Sequence, residues 1–385
     1  MNIKKISYIT ITPVLFSFFV MSFCDLVGIG VDNAKADFQL SNTLSQLIPM
    51  AVFVWFFVLS VPIGILQDRI GKRNMVNIGM IVTAAGLFLP FVFYSFPLLL
   101  AGFMLLGIGN TIIQVSANPL LIDVVPDERR SSFLSFAQFV KAVGSMAAPF
   151  LATFFALQFG NWKLVLLVFG IFSLMSAAWL QFTKIEETQS KEVKATLKSS
   201  LKLLNTPFIL IMVLGIFFLV GIDVGVNSFS GQFLMDKLNM DPEPAMRGRS
   251  LYFFGKMLGT FSGALLLTRF SAARFLLFST LATLLTLLIF IWSPTPVIAL
   301  SLMFLAGLAS SNIFPLMFSL TAGKYVTRAN EISGLMIMAV SGGAFIPPIV
   351  GKIADISSLT LGMYVFVACA AYLVFVSVYA YKKHG

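Results

Sequence analysis

The chain has 385 residues, of which 58% are apolar and only 11% are charged, although its formal net charge is +10. Soluble globular domains carry about 25% charged residues, so the composition excludes that class and predicts an integral membrane protein. Because a helix of about 20 apolar residues crosses a bilayer, the expected fold class is all-α.

Twelve apolar segments are long enough to cross a membrane as helices. In chain order they cover residues 7–30, 43–66, 75–94, 97–122, 131–156, 164–183, 207–230, 249–267, 275–293, 296–322, 331–356 and 359–381. Most of the 26 Lys and Arg residues then fall on the side that carries both chain ends, which the positive-inside rule places in the cytoplasm. The positive charge therefore indicates orientation in the lipid bilayer and does not indicate a nucleic-acid partner.

The loop between the second and third segments, residues 64–73, reads GILQDRIGKR. This pattern resembles the loop between helices 2 and 3 of major facilitator superfamily transporters. The resemblance implies a gating role for Asp68, Arg69 and Arg73, which with Arg129 in the next inner loop would latch the cytoplasmic helix ends. The alternative, ordinary positive-inside charges, gives no reason for Asp68.

Several residues recur at an offset of about 200 positions, each at the same place in its half of the chain. These pairs are Asp25 with Asp223, Arg69 with Arg269, Pro119 with Pro315, and Arg129 with Arg328. The repeat predicts two pseudo-symmetric six-helix halves, residues 1–183 and 207–385, joined by a cytoplasmic linker over 184–206. Parallel halves of this kind hold substrate near the midplane and rock around it.

The linker contains Val193, Leu197, Leu201 and Leu204 on one predicted helical face. Lysines occupy other positions around the same helix, so we expect an amphipathic helix on the anionic inner leaflet. The alternative is a flexible, solvated linker.

The fourth segment reads GIGNTIIQVSANP over 107–119, and the tenth and eleventh contain SNIFPLMFSL and ANEISGLMIMAVSGGAFIPPIVGKIAD. These motifs resemble the fucose, glucose and galactose proton-symporter family within the superfamily. The resemblance implies a multi-pass carrier of the bacterial inner membrane that imports a sugar with protons. The fucose branch has a glutamate at the position of Gln114 and an aspartate that aligns with Gly28, so no proton site transfers by identity.

Two carboxylates lie inside predicted spans, Asp25 in helix 1 and Asp223 in helix 7. An ionisable group there costs at least about 2.5–3.5 kcal/mol on insertion scales and usually faces a cavity or a partner. A carboxylate that is wet in one conformation and desolvated in another changes its proton affinity during transport. Both residues are therefore proton-coupling candidates. The alternative for Asp25 is a static ion pair with Lys141.

Two lysines also lie inside spans, Lys141 in helix 5 and Lys256 in helix 8. Either ammonium can bind substrate or form an ion pair, and Lys141 suits a carboxylate, sulfonate or phosphate, which raises the hypothesis of an acidic sugar. Lys256 follows Gly255 within a G-x-x-x-G-x-x-x-G pattern. Small residues at this spacing allow close helix contact, and we expect this face to pack against helix 5 across the halves.

Four amides inside spans can both donate hydrogen bonds to sugar hydroxyls and accept them. They are Gln114, Asn118, Gln138 and Asn227. Gln114 and Asn118 are spaced i, i+4 and share one helical face. Buried amides also bond neighbouring helices, which is the alternative for all four.

The sequence has no catalytic constellation, no metal-site spacing and no phosphate-binding loop, so we expect neither an enzyme nor a cofactor. The favoured function is proton-coupled import of a monosaccharide or small acidic sugar by a monomer, with sodium as an alternative coupling ion. The rival functions are proton-coupled drug or metabolite efflux and a transport-fold receptor that binds a nutrient without moving it.

Overall fold

The computed structural model describes residues 8–126, 129–187, 197–267, 269–325 and 328–384. Within them lie twelve long helical segments, numbered α1 to α12 in chain order, and no strand. Their bounds are Tyr8–Phe38, Leu47–Ile70, Lys72–Val92, Phe96–Val124, Arg130–Phe159, Leu164–Phe182, Pro207–Leu238, Pro242–Leu266, Ala272–Ile291, Pro296–Lys324, Ala329–Ile356 and Leu359–His384. The all-α prediction is confirmed.

Eleven of these segments are long and apolar enough to cross a membrane by length and composition. The exception is α8, which carries Arg247, Arg249 and Lys256. It also begins at Pro242, seven residues before the predicted start. Proline suits the first turn of a helix because its missing N–H has no partner there in any case, and the polar turns that follow hid this start from a search for apolar runs.

The two halves meet along two helix pairs, α2 with α11 and α5 with α8. Helices α3, α6, α9 and α12 make their main contacts within their own half. Each half is therefore a bundle of its own, and the space between the halves is bounded by these two pairs and by α1, α4, α7 and α10.

The helix contacts within the halves repeat at the offset seen in the sequence. A Cβ added to Gly107 of α4 would lie 2.2 Å from the carbonyl oxygen of Val52 in α2, and one added to Gly307 of α10 would lie 2.0 Å from the carbonyl oxygen of Tyr252 in α8. The α2–α4 and α8–α10 pairs thus approach backbone to backbone at equivalent places. Only glycine fits such an approach.

The prediction that the glycine face of α8 packs against α5 is wrong. A Cβ on Gly255 would meet the carbonyl oxygen of Phe304, and one on Gly259 would meet that of Leu308, both in α10 of the same half. Contact between α8 and α5 uses larger side chains, such as Phe261 against Phe139 with ring centroids 5.5 Å apart. The closest backbone packing therefore lies within a half. Between the halves, a Cβ on Gly334 of α11 would lie 3.4 Å from the carbonyl oxygen of Ser60 in α2, and large rings meet along α5–α8.

Of the linker, the structure describes residues 184–187, a short helix, Leu197–Lys202, and the turn after it. Residues 188–196, which include Val193, lie outside the described part. In this helix and the turn after it, Ser200 and Leu203 are buried, whereas Leu201 is exposed. Contact with the inner leaflet stays a prediction.

We expect Gly107→Ala and Gly307→Ala each to destabilise the protein by about 1–3 kcal/mol, because a methyl group must displace backbone. The matched control is Gly323→Ala, since nothing lies within 4 Å of a Cβ at that position. Unfolding by SDS titration of the purified protein in detergent measures the difference. Equal stability of all three variants would contradict the close approach.

Candidate functional site

A cavity of about 940 Å³, part of which is open to solvent, lies between the halves. Three interruptions of helical geometry line it. They are the 3-10 turn Ser22–Leu26 in α1, the turn after Ser310 in α10, and the 3-10 turn Ala339–Ser341 in α11. Irregular backbone at membrane depth is tolerated where it is buried in protein or lines a water-filled cavity, and discontinuous helices are the usual setting of transporter binding sites.

Asp25 lies in the break of α1 and faces the cavity. The Ser145 hydroxyl of α5 donates to its carboxylate at 2.5 Å. The side-chain amide of Asn227 in α7 donates to the Asp25 backbone carbonyl at 3.1 Å. One carboxylate is therefore held by a hydroxyl of its own half, and its backbone is held by the other half. A static ion pair with Lys141 is not formed.

Asp223 faces the same cavity from α7, and both of its carboxylate oxygens have partners. The Lys256 ammonium lies 2.6 Å from one carboxylate oxygen, and the Tyr252 hydroxyl donates to the other. Ser310 lies 3.2 Å from the same hydroxyl. This set joins α7, α8 and α10, and it satisfies both charges within one half.

Lys141 differs from Lys256 in having no close partner. Its side chain lines the cavity, and within the described part of the chain it forms no hydrogen bond and no ion pair. The carboxylates whose charges act on it at longer range are Asp25 and Asp223. Of the two cavity lysines, Lys141 is thus the one whose ammonium has no ion-pair partner among the described residues.

Three of the four predicted amides also line the cavity, namely Gln114, Asn118 and Gln138. The Gln114 amide donates to Asn110 at 2.8 Å, and the Asn118 amide donates to the Gln114 backbone carbonyl at 2.8 Å. These bonds orient both side chains and leave their oxygens without a donor among the described residues. Asn227 is not part of the lining.

The Major Facilitator Superfamily model matches residues 13–348, most of the chain. The protein belongs to the Major Facilitator Superfamily. It is a multi-pass membrane protein of a transporter family, which also confirms the expectation that it is not an enzyme.

Known superfamily members resemble the chain over nearly its whole length. It is 28% identical to the glucose/galactose transporter of Brucella abortus, with 95% of this chain and 92% of the relative aligned. It is 27% identical to a putative glucose/galactose transporter of Helicobacter pylori, over 95% of each chain. The L-fucose-proton symporter of Escherichia coli is 22% identical over 83% of this chain and 80% of its own. The resemblance expected from the helix 4 and helix 10–11 motifs is confirmed.

The fold also matches a solved superfamily structure. The crystal structure of FucP in the outward conformation superimposes with a TM-score of 0.79 at 19% identity, covering 96% of this chain and 98% of that one. The similarity confirms the superfamily fold.

Towards the C-terminal end of α1, this transporter carries three polar contacts between its halves. Besides the Asn227 bond to Asp25, the Arg249 guanidinium of α8 lies 2.7 Å from the Asp32 carboxylate of α1. Lys35 also donates to Gln232 at 3.3 Å. Arg249 is only 4% exposed, whereas the Asp32 side chain is 25% exposed.

At the predicted cytoplasmic end, the predicted latch residues differ in exposure and in hydrogen bonding. Arg69 and Arg129 are exposed, and the side chain of Asp68 lies outside the described part. Arg73 donates to the backbone carbonyl of Thr183 at 2.8 Å. Among the described side chains, Arg69, Arg73 and Arg129 do not contact one another, and the gating role of the four residues stays a prediction.

A different ion pair is buried at this inner end. The Lys72 ammonium at the start of α3 lies 2.6 Å from Asp123 near the end of α4. The Glu187 carboxylate accepts hydrogen bonds from the backbone N–H groups of Lys72 and Arg73, at 2.6 and 3.1 Å. An anion at a helix N-terminus is favoured by the helix dipole, so Glu187 ties the start of the linker to α3.

The second half has its own inner contact with the linker. Arg328 donates to Glu331 at 2.6 and 2.8 Å, and Ser199 of the linker helix donates to the same carboxylate at 2.6 Å. The hydrogen bonds to Glu331 raise the pKa of the Arg328 guanidinium, which stays charged. The linker is thus fastened to both halves.

Sequence reasoning missed the cavity hydroxyls and the aromatic lining. Ser145 lies one turn after Lys141, and Thr260 lies one turn after Lys256, so helical spacing from each lysine identifies a hydroxyl on the same face. Phe53, Phe253 and Phe314 also line the cavity. Nothing in the sequence distinguishes these three among 41 phenylalanines.

We expect Asp223→Asn and Lys256→Met to be strongly non-additive, with an interaction energy of about 0.5–3 kcal/mol. Each single change leaves one charge without its partner, whereas the double variant removes both. SDS-titration stabilities of the four proteins close the cycle. The control cycle pairs Asp223→Asn with Lys352→Met, an exposed lysine outside the cavity, and is additive within about 0.5 kcal/mol. Additivity in both cycles would contradict the ion pair.

Proposed function

We propose that this protein is a proton-coupled secondary transporter that imports a monosaccharide by alternating access. The observation that carries the proposal is the lining of the cavity between the halves. Asp25 lies in the break of α1, and the free oxygens of Gln114 and Asn118 lie on the neighbouring α4. The names of the relatives, two glucose/galactose transporters and an L-fucose-proton symporter, support the same substrate class and coupling ion.

Asp25 is the proposed proton carrier because its partner is a hydroxyl. The Ser145 oxygen can donate to an ionised carboxylate and accept from a protonated one, so the contact survives either state. Asp223 is a weaker candidate. Its carboxylate is bonded to Lys256 and Tyr252, and adding a proton there would remove the charge that neutralises Lys256. We therefore propose that Asp223 positions Lys256 and that Asp25 binds the transported proton.

We propose that Gln114, Asn118 and Gln138 recognise the substrate. Lys141 and Lys256 are proposed to contact it as well. Amides donate and accept at once, which suits a ring of hydroxyls. Phe53, Phe253 and Phe314 supply apolar surface for the face of a sugar ring. Asn227 is proposed to act indirectly, through its hydrogen bond to the backbone of Asp25.

Alternating access is proposed to break the outer contacts between the halves. Opening to the outside separates Arg249 from Asp32 and Asn227 from the Asp25 backbone, while closure re-forms them. Movement of the Asn227 contact acts directly on the segment that carries Asp25. At the inner end, Asp68, Arg69, Arg73 and Arg129 are proposed to contact one another in a conformation other than this one.

We further propose that the protein works as a monomer in the inner membrane, with both termini in the cytoplasm. The distribution of Lys and Arg supports this orientation. The rival functions, drug efflux and sugar sensing without transport, fit less well. The two oriented amides, Gln114 and Asn118, suit sugar hydroxyls better than a lipophilic drug. A cavity bounded by polar contacts between the halves suits translocation.

We expect Asp25→Asn to abolish sugar accumulation driven by a pH gradient and to retain exchange of sugar across the membrane, because asparagine keeps the hydrogen bond and cannot bind the proton. The measurement is D-glucose and D-galactose uptake into proteoliposomes with and without an inward proton gradient, beside counterflow without a gradient. Asp236→Asn, an exposed carboxylate outside this cavity, is the matched control.

Accumulation that persists in Asp25→Asn would remove Asp25 as the carrier. Accumulation by the unmodified protein that follows a sodium gradient and ignores pH would replace the proton by sodium. Uptake of cationic drugs with no movement of any sugar would overturn the proposed function.

A further inference from the structure

The two lysines of the cavity have unequal environments. Lys256 is neutralised by Asp223 at 2.6 Å and lies 5.6 Å from the ring centroid of Tyr252. Lys141 lines the same cavity without a hydrogen bond or ion pair in the described chain. An ammonium withdrawn from bulk water is stable only with compensation from an opposite charge. For Lys141 this compensation comes at longer range, from the charges of Asp25 and Asp223.

Protonation of Asp25 changes this balance. The titratable groups that face the cavity with Asp25 are Cys24, Lys141, Asp223 and Lys256, and Tyr252 is bonded to Asp223. With both carboxylates and both ammonium groups ionised, the formal charges of these groups sum to zero. Once Asp25 binds the transported proton, the sum is one positive charge, and that charge is located on Lys141.

A neutral sugar leaves this charge uncompensated, whereas a singly charged anion neutralises it. Binding of the anion and binding of the proton then favour each other, because opposite charges attract strongly in a site of low dielectric constant. The neighbouring amides, Gln114, Asn118 and Gln138, provide hydroxyl recognition beside the ammonium. The site therefore combines a place for one carboxylate with a place for several hydroxyls.

We propose that the preferred substrate is an acidic monosaccharide, a hexose ring that carries one carboxylate, and that Lys141 binds this carboxylate. The proposal rests on the proposed function and narrows its substrate class. A charge-assisted hydrogen bond contributes about 1.5–3 kcal/mol, so the preference for the acid over the neutral sugar is about tenfold to a hundredfold.

The test compares D-glucuronate with D-glucose, which share a ring and differ at one carbon, in proteoliposomes of the full chain under an inward proton gradient. We expect D-glucuronate to be transported with a kcat/KM about tenfold or more above that of D-glucose. Lys141→Gln should reduce D-glucuronate transport by a similar factor and reduce D-glucose transport much less, so that the preference for the acid is lost. Lys141→Arg, which keeps the charge, should restore part of the loss, and Lys352→Gln should have no effect.

A binding measurement on the unmodified protein covers the case in which Lys141→Gln does not fold. D-glucuronate should raise the Tm of the purified protein more than D-glucose does at equal concentration, because a ligand stabilises the state that it binds. This difference should grow as the pH falls, because the transported proton and the anion favour each other's binding.

The results separate the two proposals. Transport of D-glucose without transport or binding of D-glucuronate would overturn the acidic substrate and leave proton-coupled sugar import intact. Equal loss of both sugars in a folded Lys141→Gln protein would also overturn it, since it would show a role unrelated to the carboxylate. Failure to bind or move either sugar would overturn sugar import itself, and the acidic substrate with it.

Discussion

The cost of placing charge inside a membrane protein governs the centre of this molecule. Two carboxylates and two ammonium groups line one cavity in a chain that is otherwise overwhelmingly apolar. They are stable there because they share one polar cavity, which keeps all four away from lipid. The breaks in α1, α10 and α11 have the same origin, since backbone groups freed from helical bonding can be satisfied only beside water or protein.

The helices pack more closely within each half than between the halves. Within each half, glycines bring α2 against α4 and α8 against α10 at backbone distance, which leaves little freedom between those helices. Between the halves, larger side chains and a few polar contacts meet along α2–α11 and α5–α8. Such contacts can be exchanged for others at small cost, and this is the mechanical requirement for two bundles that rock around a shared site.

Much of the site could be predicted from the sequence, because a polar side chain inside an apolar span must face a cavity or a polar partner. Asp25, Lys141, Gln114 and Asn118 all line the cavity for this reason. Asn227 was found by the same argument, yet it lies outside the lining. An amide can equally bond the backbone of a neighbouring helix, and only the three-dimensional arrangement distinguishes the two outcomes.

Other features could not be predicted because they depend on pairs of residues far apart in the chain. The ion pair of Lys72 with Asp123 looks in the sequence like two ordinary charges at helix ends. The glycines of α8 indicate a close helix contact, but their spacing does not say which helix is the partner. The start of α8 was misplaced because Arg247 and Arg249 resemble loop residues until Asp32 is seen to neutralise one of them.

The equal numbers of carboxylates and ammonium groups in the cavity also bear on the return of the empty carrier. A charge carried across the membrane potential gains or loses about 2.3 kcal/mol for every 100 mV. With all four groups ionised and no substrate bound, the cavity carries no net charge, so its change of access moves none across the field. Membrane voltage therefore does no net work on these four groups when the empty cavity changes its access.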